Sequence, residues 1–211
     1  MVLFLQKINF ITLTVALRFF VKLELIHKEN IVSLERPFIV VANHKSYFDH
    51  WLICFALVKI MGLQVLPFRF FTADYFFKRW WTGWGLLLKA YGAFPAHKGE
   101  GLEVSLKESI EILSKGGAVV FYPEGRAVRD PNVIGEPRRG IGALALWSGA
   151  KILPVAIKGS NDMRNGVKIT FGKPFLIKGV LDKSSLKGDE SDYPMVAGVI
   201  MNKVKDLFHG I

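Results

Sequence analysis

Short apolar runs alternating with helical patterns constrain the fold of this chain more than any other feature of its sequence. PFIVVANH (residues 37–44) is an apolar run that ends in a polar loop, and residues 49–60 behind it read as a helix stopped near Gly62. LQVLPFRFF (63–71), AFPA (93–96), AVVFYPEG (118–125), KILPVAIKG (151–159) and VKITFGKPF (167–175) repeat the strand signature. The intervening GLEVSLKESIEILSKGG (101–117) spaces Leu102, Leu106, Ile110 and Leu113 three or four residues apart and closes on Gly-Gly, the pattern of an amphipathic helix. Residues 74–90 read as an aromatic helix, IGALALWSG (141–149) as a small-residue helix, and a last helix is expected to end the chain. Strands alternating with helices predict βαβ units and an α/β fold, a single domain with a mainly parallel sheet flanked by helices. Ligands gather beyond the carboxyl ends of the strands in such sheets, so the loops after residues 42 and 122 are where chemistry is expected.

At 211 residues, half of them hydrophobic (51%), the chain suits one core large enough to need no disulfides. Cys54 has no partner and sits in the apolar run WLICFALV, which leaves neither a disulfide framework nor a cysteine metal site. Lys and Arg number 28 against 18 Asp and Glu, a formal net charge of +10. Such an excess favours a polyanionic partner. The basic residues are interleaved with large apolar ones, mean hydropathy is positive at +0.30, and no zinc-finger, RNA-binding or basic-zipper pattern is present. An anionic membrane surface is therefore expected, and nucleic acid is not.

Two segments suit that surface. Residues 1–30 read as an N-terminal amphipathic, membrane-associating helical segment ahead of the main domain at 31–211. Its longest uncharged run, Ile8 to Leu17, is half of the ~20 residues that span a bilayer, so it either lies in the headgroup region or packs on the core. The second, residues 74–92, crowds Trp80, Trp81 and Trp84 beside Lys78, Arg79 and Lys89, a composition suited to interfacial contact. Peripheral or monotopic attachment at the cytoplasmic face of a membrane is the expectation.

His44 and Asp49 stand five residues apart at the end of the first apolar run. A histidine there is placed to act as a general base, and a carboxylate on one ring nitrogen would fix its tautomer and stabilise the imidazolium. On one continuous helix the two would diverge by about 140°, so contact requires His44 in the loop and Asp49 in the first helical turn. Ser46 and Asp49 also have the spacing of a capping box, which would spend the acid on backbone amides instead. In the second loop, Pro123 rigidifies a strand exit, Gly125 permits an unusual backbone angle, and Glu124 and Arg126 supply an acid and a cation that could grip a phosphate. Lys98, after the bend bracketed by Gly92 and Pro95, offers another cation.

These residues carry a resemblance. His44 and Asp49 match the H-x4-D motif of the glycerolipid acyltransferase family, of the 1-acylglycerol-3-phosphate acyltransferase type. FYPEGR is similar to its F-P-E-G-(T)-R block, GAFPAHK to its G-x-x-F-x-x-R block and ILPVAI to its V-P-V block, in the family's order over about residues 37–160. The resemblance implies a fatty acyl transfer from acyl-CoA or acyl-carrier protein to the free hydroxyl of a lysophospholipid acceptor, most simply 1-acylglycerol-3-phosphate, with no metal or cofactor beyond the donor. It implies His44 as base, Asp49 as its partner, and Lys98, Glu124, Gly125 and Arg126 around the acceptor. Lys98 stands where the family has Arg, exchanging a planar fork for a point charge. Arg126 occupies the Thr slot, so Arg129 is an alternative ligand. A different lysolipid, an amino-acid-containing lipid, or a non-catalytic role in binding anionic lipid stays open.

Overall fold

The computed structural model describes residues 3–8, 21–72, 77, 84–97, 99–182, 184 and 186–211. Its centre is β2 (Phe38–Ala42), buried along its whole length. A strand apolar at every position must be covered on both faces, as in parallel sheets. In chain order the strands are β1 (Leu23–Ile26), β2, β3 (Phe68–Thr72), β4 (Ala93–Pro95), β5 (Ala118–Phe121), β6 (Lys151–Lys158) and β7 (Val167–Phe171). Among the described residues after β1 the α-helices are α1 (Asp49–Met61), α2 (Trp84–Ala90), α3 (Leu102–Ser114), α4 (Gly140–Ser148) and α5 (Asp192–His209). The sheet runs β1-β7-β6-β2-β5-β3-β4, parallel at every junction except β6–β7.

Alternation along β2 sorts the core into two layers. Phe38, Val40 and Ala42 face Ile53 and Leu57 of α1, whereas Ile39 and Val41 face Leu106 of α3, Leu144 of α4 and Ile200 of α5. Helices α4 and α5 touch closely because position 142 is glycine: a Cβ there would lie 2.0 Å from the Tyr193 carbonyl oxygen.

The expected α/β architecture is therefore present, with two local differences. Residues 63–65 of the expected strand 63–71 form a 3-10 turn, and β3 begins only at Phe68, after Pro67, which has no N–H to offer a sheet ladder. Leu23–Ile26, inside the stretch expected to be helical, pair with β7 as an edge strand; LELI alternates with period two and presents Leu23 and Leu25 to the core. Residues 3–8 are helical and dock through Gln6, whose amide donates to the carbonyls of Phe68 (2.7 Å) and Tyr91 (2.6 Å) and accepts the Phe68 N–H (3.0 Å). Most of residues 1–30 ahead of β1 and most of the 74–83 aromatic stretch, including Trp80 and Trp81, lie outside the described residues. Among the described residues no helix is long and apolar enough to cross a membrane.

Candidate active site

Register places the site. Val41 of β2 pairs with Phe121 of β5, so the chains leaving these two parallel strands run side by side and bring His44 abreast of Glu124. On the other flank β6 pairs with β2, and the Asn43 side chain both donates to the Ile157 carbonyl and accepts the Ile157 N–H, each at 2.8 Å. Three strand ends thus converge where an open α/β sheet collects its ligands.

His44 and Asp49 meet. The His44 Nδ1–H donates to Asp49 Oδ2 at 2.8 Å, with Asp49 fully buried and the imidazole 17% exposed at the cavity surface. The same oxygen accepts the backbone N–H of Lys45 (2.6 Å) and of Ser46 (2.8 Å), and Oδ1 accepts the Ser160 hydroxyl (2.5 Å). The two roles open to the aspartate in the sequence are both filled: it turns the loop by taking amides, and it orients the imidazole. A carboxylate accepts only, so Nδ1 carries the proton of this bond and the neutral ring presents the lone pair of Nε2. The Tyr122 ring stacks on the imidazole, centroids 4.3 Å apart and 22° from parallel, and holds its plane. Burial pushes the Tyr122 phenol well up, so it stays neutral.

Glu124 lies in this site as a strut. Its Oε2 accepts the His44 N–H (2.9 Å) and its Oε1 the Gly135 N–H (2.8 Å). Burial raises its pKa, opposed by those two amides and by the Lys45 ammonium. Lys45 is itself only 3% exposed and donates to the carbonyls of Asp130 (2.6 Å) and Val133, while the Val128 N–H donates to the His44 carbonyl at 2.8 Å. These bonds stitch the loop at residues 123–138 to the His44 loop.

The loops open on a cavity of about 1490 Å³, above the size of ordinary small-molecule pockets and large enough for a lipid chain. One part of the wall is apolar and aromatic, with Phe48, Trp51, Phe70, Leu88 and Tyr91; another carries Gly125, Arg126, Arg138 and Arg139. Arg126 lines the cavity, whereas Arg129 is not among the residues lining it. Lys98 lies outside the described residues. Cys54 packs against the core, and burial pushes its thiol up to about 12.

Sequence reasoning missed Ser160, Tyr122, Lys45 and Arg138. Ser160 and Arg138 are far from the motif in the chain, and Lys45 reads as a solvated side chain. It also passed over His50, which lines the cavity stacked on Phe70 at 4.3 Å. Burial pushes the His50 imidazole down from 6.5 to about 3, against the pull of Asp49. The sign follows from linkage: above about pH 6.5 both states hold it neutral, and as pH falls from there towards 3 the unfolded chain takes up a proton that the fold refuses, so stability is lost. His50→Phe is expected to flatten this acid loss, measured as the shift in urea midpoint between pH 7 and pH 4; parallel shifts in both proteins would refute the assignment.

Comparison with known proteins agrees with this architecture. A family model described as Acyltransferase matches residues 22–158, more than half of the chain. The chain is 24% identical over 165 residues to a 1-acyl-sn-glycerol-3-phosphate acyltransferase of Chlamydomonas reinhardtii, covering 78% of this chain and 47% of that protein. It is 24% identical over 146 residues to the chloroplastic 1-acyl-sn-glycerol-3-phosphate acyltransferase LPAT1 of Arabidopsis thaliana, covering 67% and 37%. It therefore spans about half the length, or less, of these curated relatives. Its fold is similar to the crystal structure of the 1-acyl-sn-glycerophosphate acyltransferase PlsC from Thermotoga maritima, with a TM-score of 0.59, 22% identity, and 98% of this chain and 78% of that one covered. The matched region begins at the edge strand β1 and runs through both strand-end loops to the end of β6, and on that extent this chain belongs to the Acyltransferase family.

Proposed function

We propose that this chain moves a fatty acyl group from a thioester donor, acyl-CoA or acyl-carrier protein, to the free hydroxyl of a lysophospholipid, 1-acylglycerol-3-phosphate in the first instance. The observation that carries the reading is the 2.8 Å contact of His44 with buried Asp49 at the wall of a large cavity that also bears Arg126 and Arg138, neither with a carboxylate partner among the described residues. His44 Nε2 takes the proton of the acceptor hydroxyl as its oxygen attacks the thioester carbonyl. The tetrahedral intermediate collapses by breaking the carbon–sulfur bond, and the imidazolium returns the proton to the leaving thiolate. The Asp49 carboxylate stabilises the imidazolium, and the steps call on no metal or further cofactor. Arg126 and Lys98 hold the acceptor's headgroup, with Gly125 setting the turn beside Arg126 and Glu124 bracing the loop. The apolar wall receives acyl chain.

A substrate with its chains in a bilayer calls for a protein that sits on the membrane. We assign that contact, at the cytoplasmic face, to the segment ahead of β1 and to the Trp-rich stretch before α2. Vesicles containing anionic lipid are expected to sediment the protein, and the Trp80→Ala/Trp81→Ala variant to sediment several-fold less; equal sedimentation of the two removes the aromatic stretch from the membrane contact. The reaction itself is tested by incubating the pure protein with a panel of lysolipids and both donor types and reading the products by mass spectrometry. Acylated product from lysophosphatidic acid is expected. Binding of anionic lipid without product from any pair would make the chain a lipid-binding protein instead.

A further inference from the structure

We infer that Arg138, seated on Gly125, is the second guanidinium of a clamp for the acceptor's phosphate monoester; the inference rests on the acyl-transfer reading and supplies its headgroup subsite. Arg138 enters the site from the far end of the loop, thirteen positions after Gly125 in the numbering, because its backbone N–H donates to the Pro123 carbonyl at 2.9 Å. On the facing side the Gly125 N–H closes a turn onto the Tyr122 carbonyl at 3.1 Å. The Arg138 side chain then lies across Gly125: a Cβ at position 125 would stand 2.8 Å from Arg138 Nε and 3.0 Å from its Cδ. Gly125 therefore serves two needs, a φ of +67° that side chains resist and bare space for a guanidinium.

Charge points to the ligand. Arg126 and Arg138 both line the cavity, and among the described residues neither has a carboxylate partner, whereas neighbouring Arg139 is paired with Glu190 at 3.0 Å. Two guanidinium groups lining one cavity without a carboxylate partner among the described residues raise its positive potential, and a dianion bound between them relieves it. A phosphate monoester offers two charges and three oxygens to two planar forks; a carboxylate offers one charge. Position completes the case, since Glu124, next to Gly125, is bonded to the His44 N–H, so a phosphate held here keeps a nearby glycerol hydroxyl within the reach of the imidazole. Arg129, exposed and away from the cavity lining, has no part in this clamp.

The test has a kinetic arm and a binding arm. Arg138→Gln is expected to raise KM for lysophosphatidic acid about 10- to 100-fold, as the loss of a charge-assisted contact does, with kcat and the donor KM within about threefold. Arg138→Lys recovers part of the loss. Gly125→Ala pushes the guanidinium aside without removing it and is expected to mimic Arg138→Gln, with the double variant no worse than Arg138→Gln alone. An unchanged acceptor KM, or a loss that falls on the donor KM or on kcat, overturns the assignment. Calorimetric titration with glycerol 3-phosphate needs no turnover. Weaker binding by Arg138→Gln upholds the clamp even if no acyl transfer is found, in which case only the reaction assignment falls. Active protein indifferent to Arg138 in both arms removes the clamp and leaves the reaction standing.

Discussion

His44→Ala is expected to lower acyl transfer by about 10²–10⁴-fold, the range that a positioned general base supplies. Among the described residues nothing nearby can stand in for it. The half-buried His50 ring is stacked on Phe70, the Tyr122 phenol is held neutral, and Glu124 has each oxygen on a backbone amide. On the proposed mechanism the loss falls on kcat, because there the imidazole acts on the proton in flight while other groups hold the acceptor. The fold survives the change, since His44 is bonded to the rest of the protein mainly through its backbone N–H and carbonyl, which alanine keeps. Steady-state kinetics with circular dichroism on the same sample checks both halves. A folded variant that retains full turnover would end the general-base reading.

Asp49 carries the second large effect, and two substitutions separate its two duties. Asp49→Ala strips the acceptor from the Lys45 and Ser46 amides, the Ser160 hydroxyl and the His44 Nδ1–H together. A buried donor left without a partner costs about 1–3 kcal/mol, so this variant is expected to lose several kcal/mol of stability and its activity with it. Asp49→Asn behaves otherwise. The three N–H donors on Oδ2 hold the amide oxygen in that position and leave the NH2 facing Ser160, whose hydroxyl can turn to accept. Tautomer and loop are kept, and only the carboxylate's charge opposite the imidazolium is lost, an expected fall in kcat of about 10- to 100-fold with little change in Tm. Equal damage from both variants, in kcat and in Tm, would show that Asp49 serves the fold alone.

How much of this was written along the chain follows from the reach of each signal. Period-two and period-3.6 patterns are local, so the alternation of strands and helices, the α/β class and the helical stop at Gly62 could be read directly. The sequence placed His44 and Asp49 within reach of each other but left two roles open for the acid, cap or partner, and only the folded loop shows that it fills both. The membrane-facing segments remain expectations drawn from composition, and Trp80, Trp81 and Lys98 lie outside the described residues.

Other parts of the site depended on which strand lies beside which. Ser160 reaches Asp49 across a separation of 111 residues only because β6 is the neighbour of β2, and Glu124 braces His44 only because β5 pairs with β2 in the register Val41 to Phe121. The choice of cation was likewise a matter of packing. Arg126, Arg129, Arg138 and Arg139 look alike in a run of loop, and it took a bond to Pro123 and the bare face of Gly125 to put Arg138 on the cavity and leave Arg129 outside. Local spacing decides the contacts made within a turn of chain. Strand order and register, which minimise the energy of the whole sheet, decide the contacts that cross it.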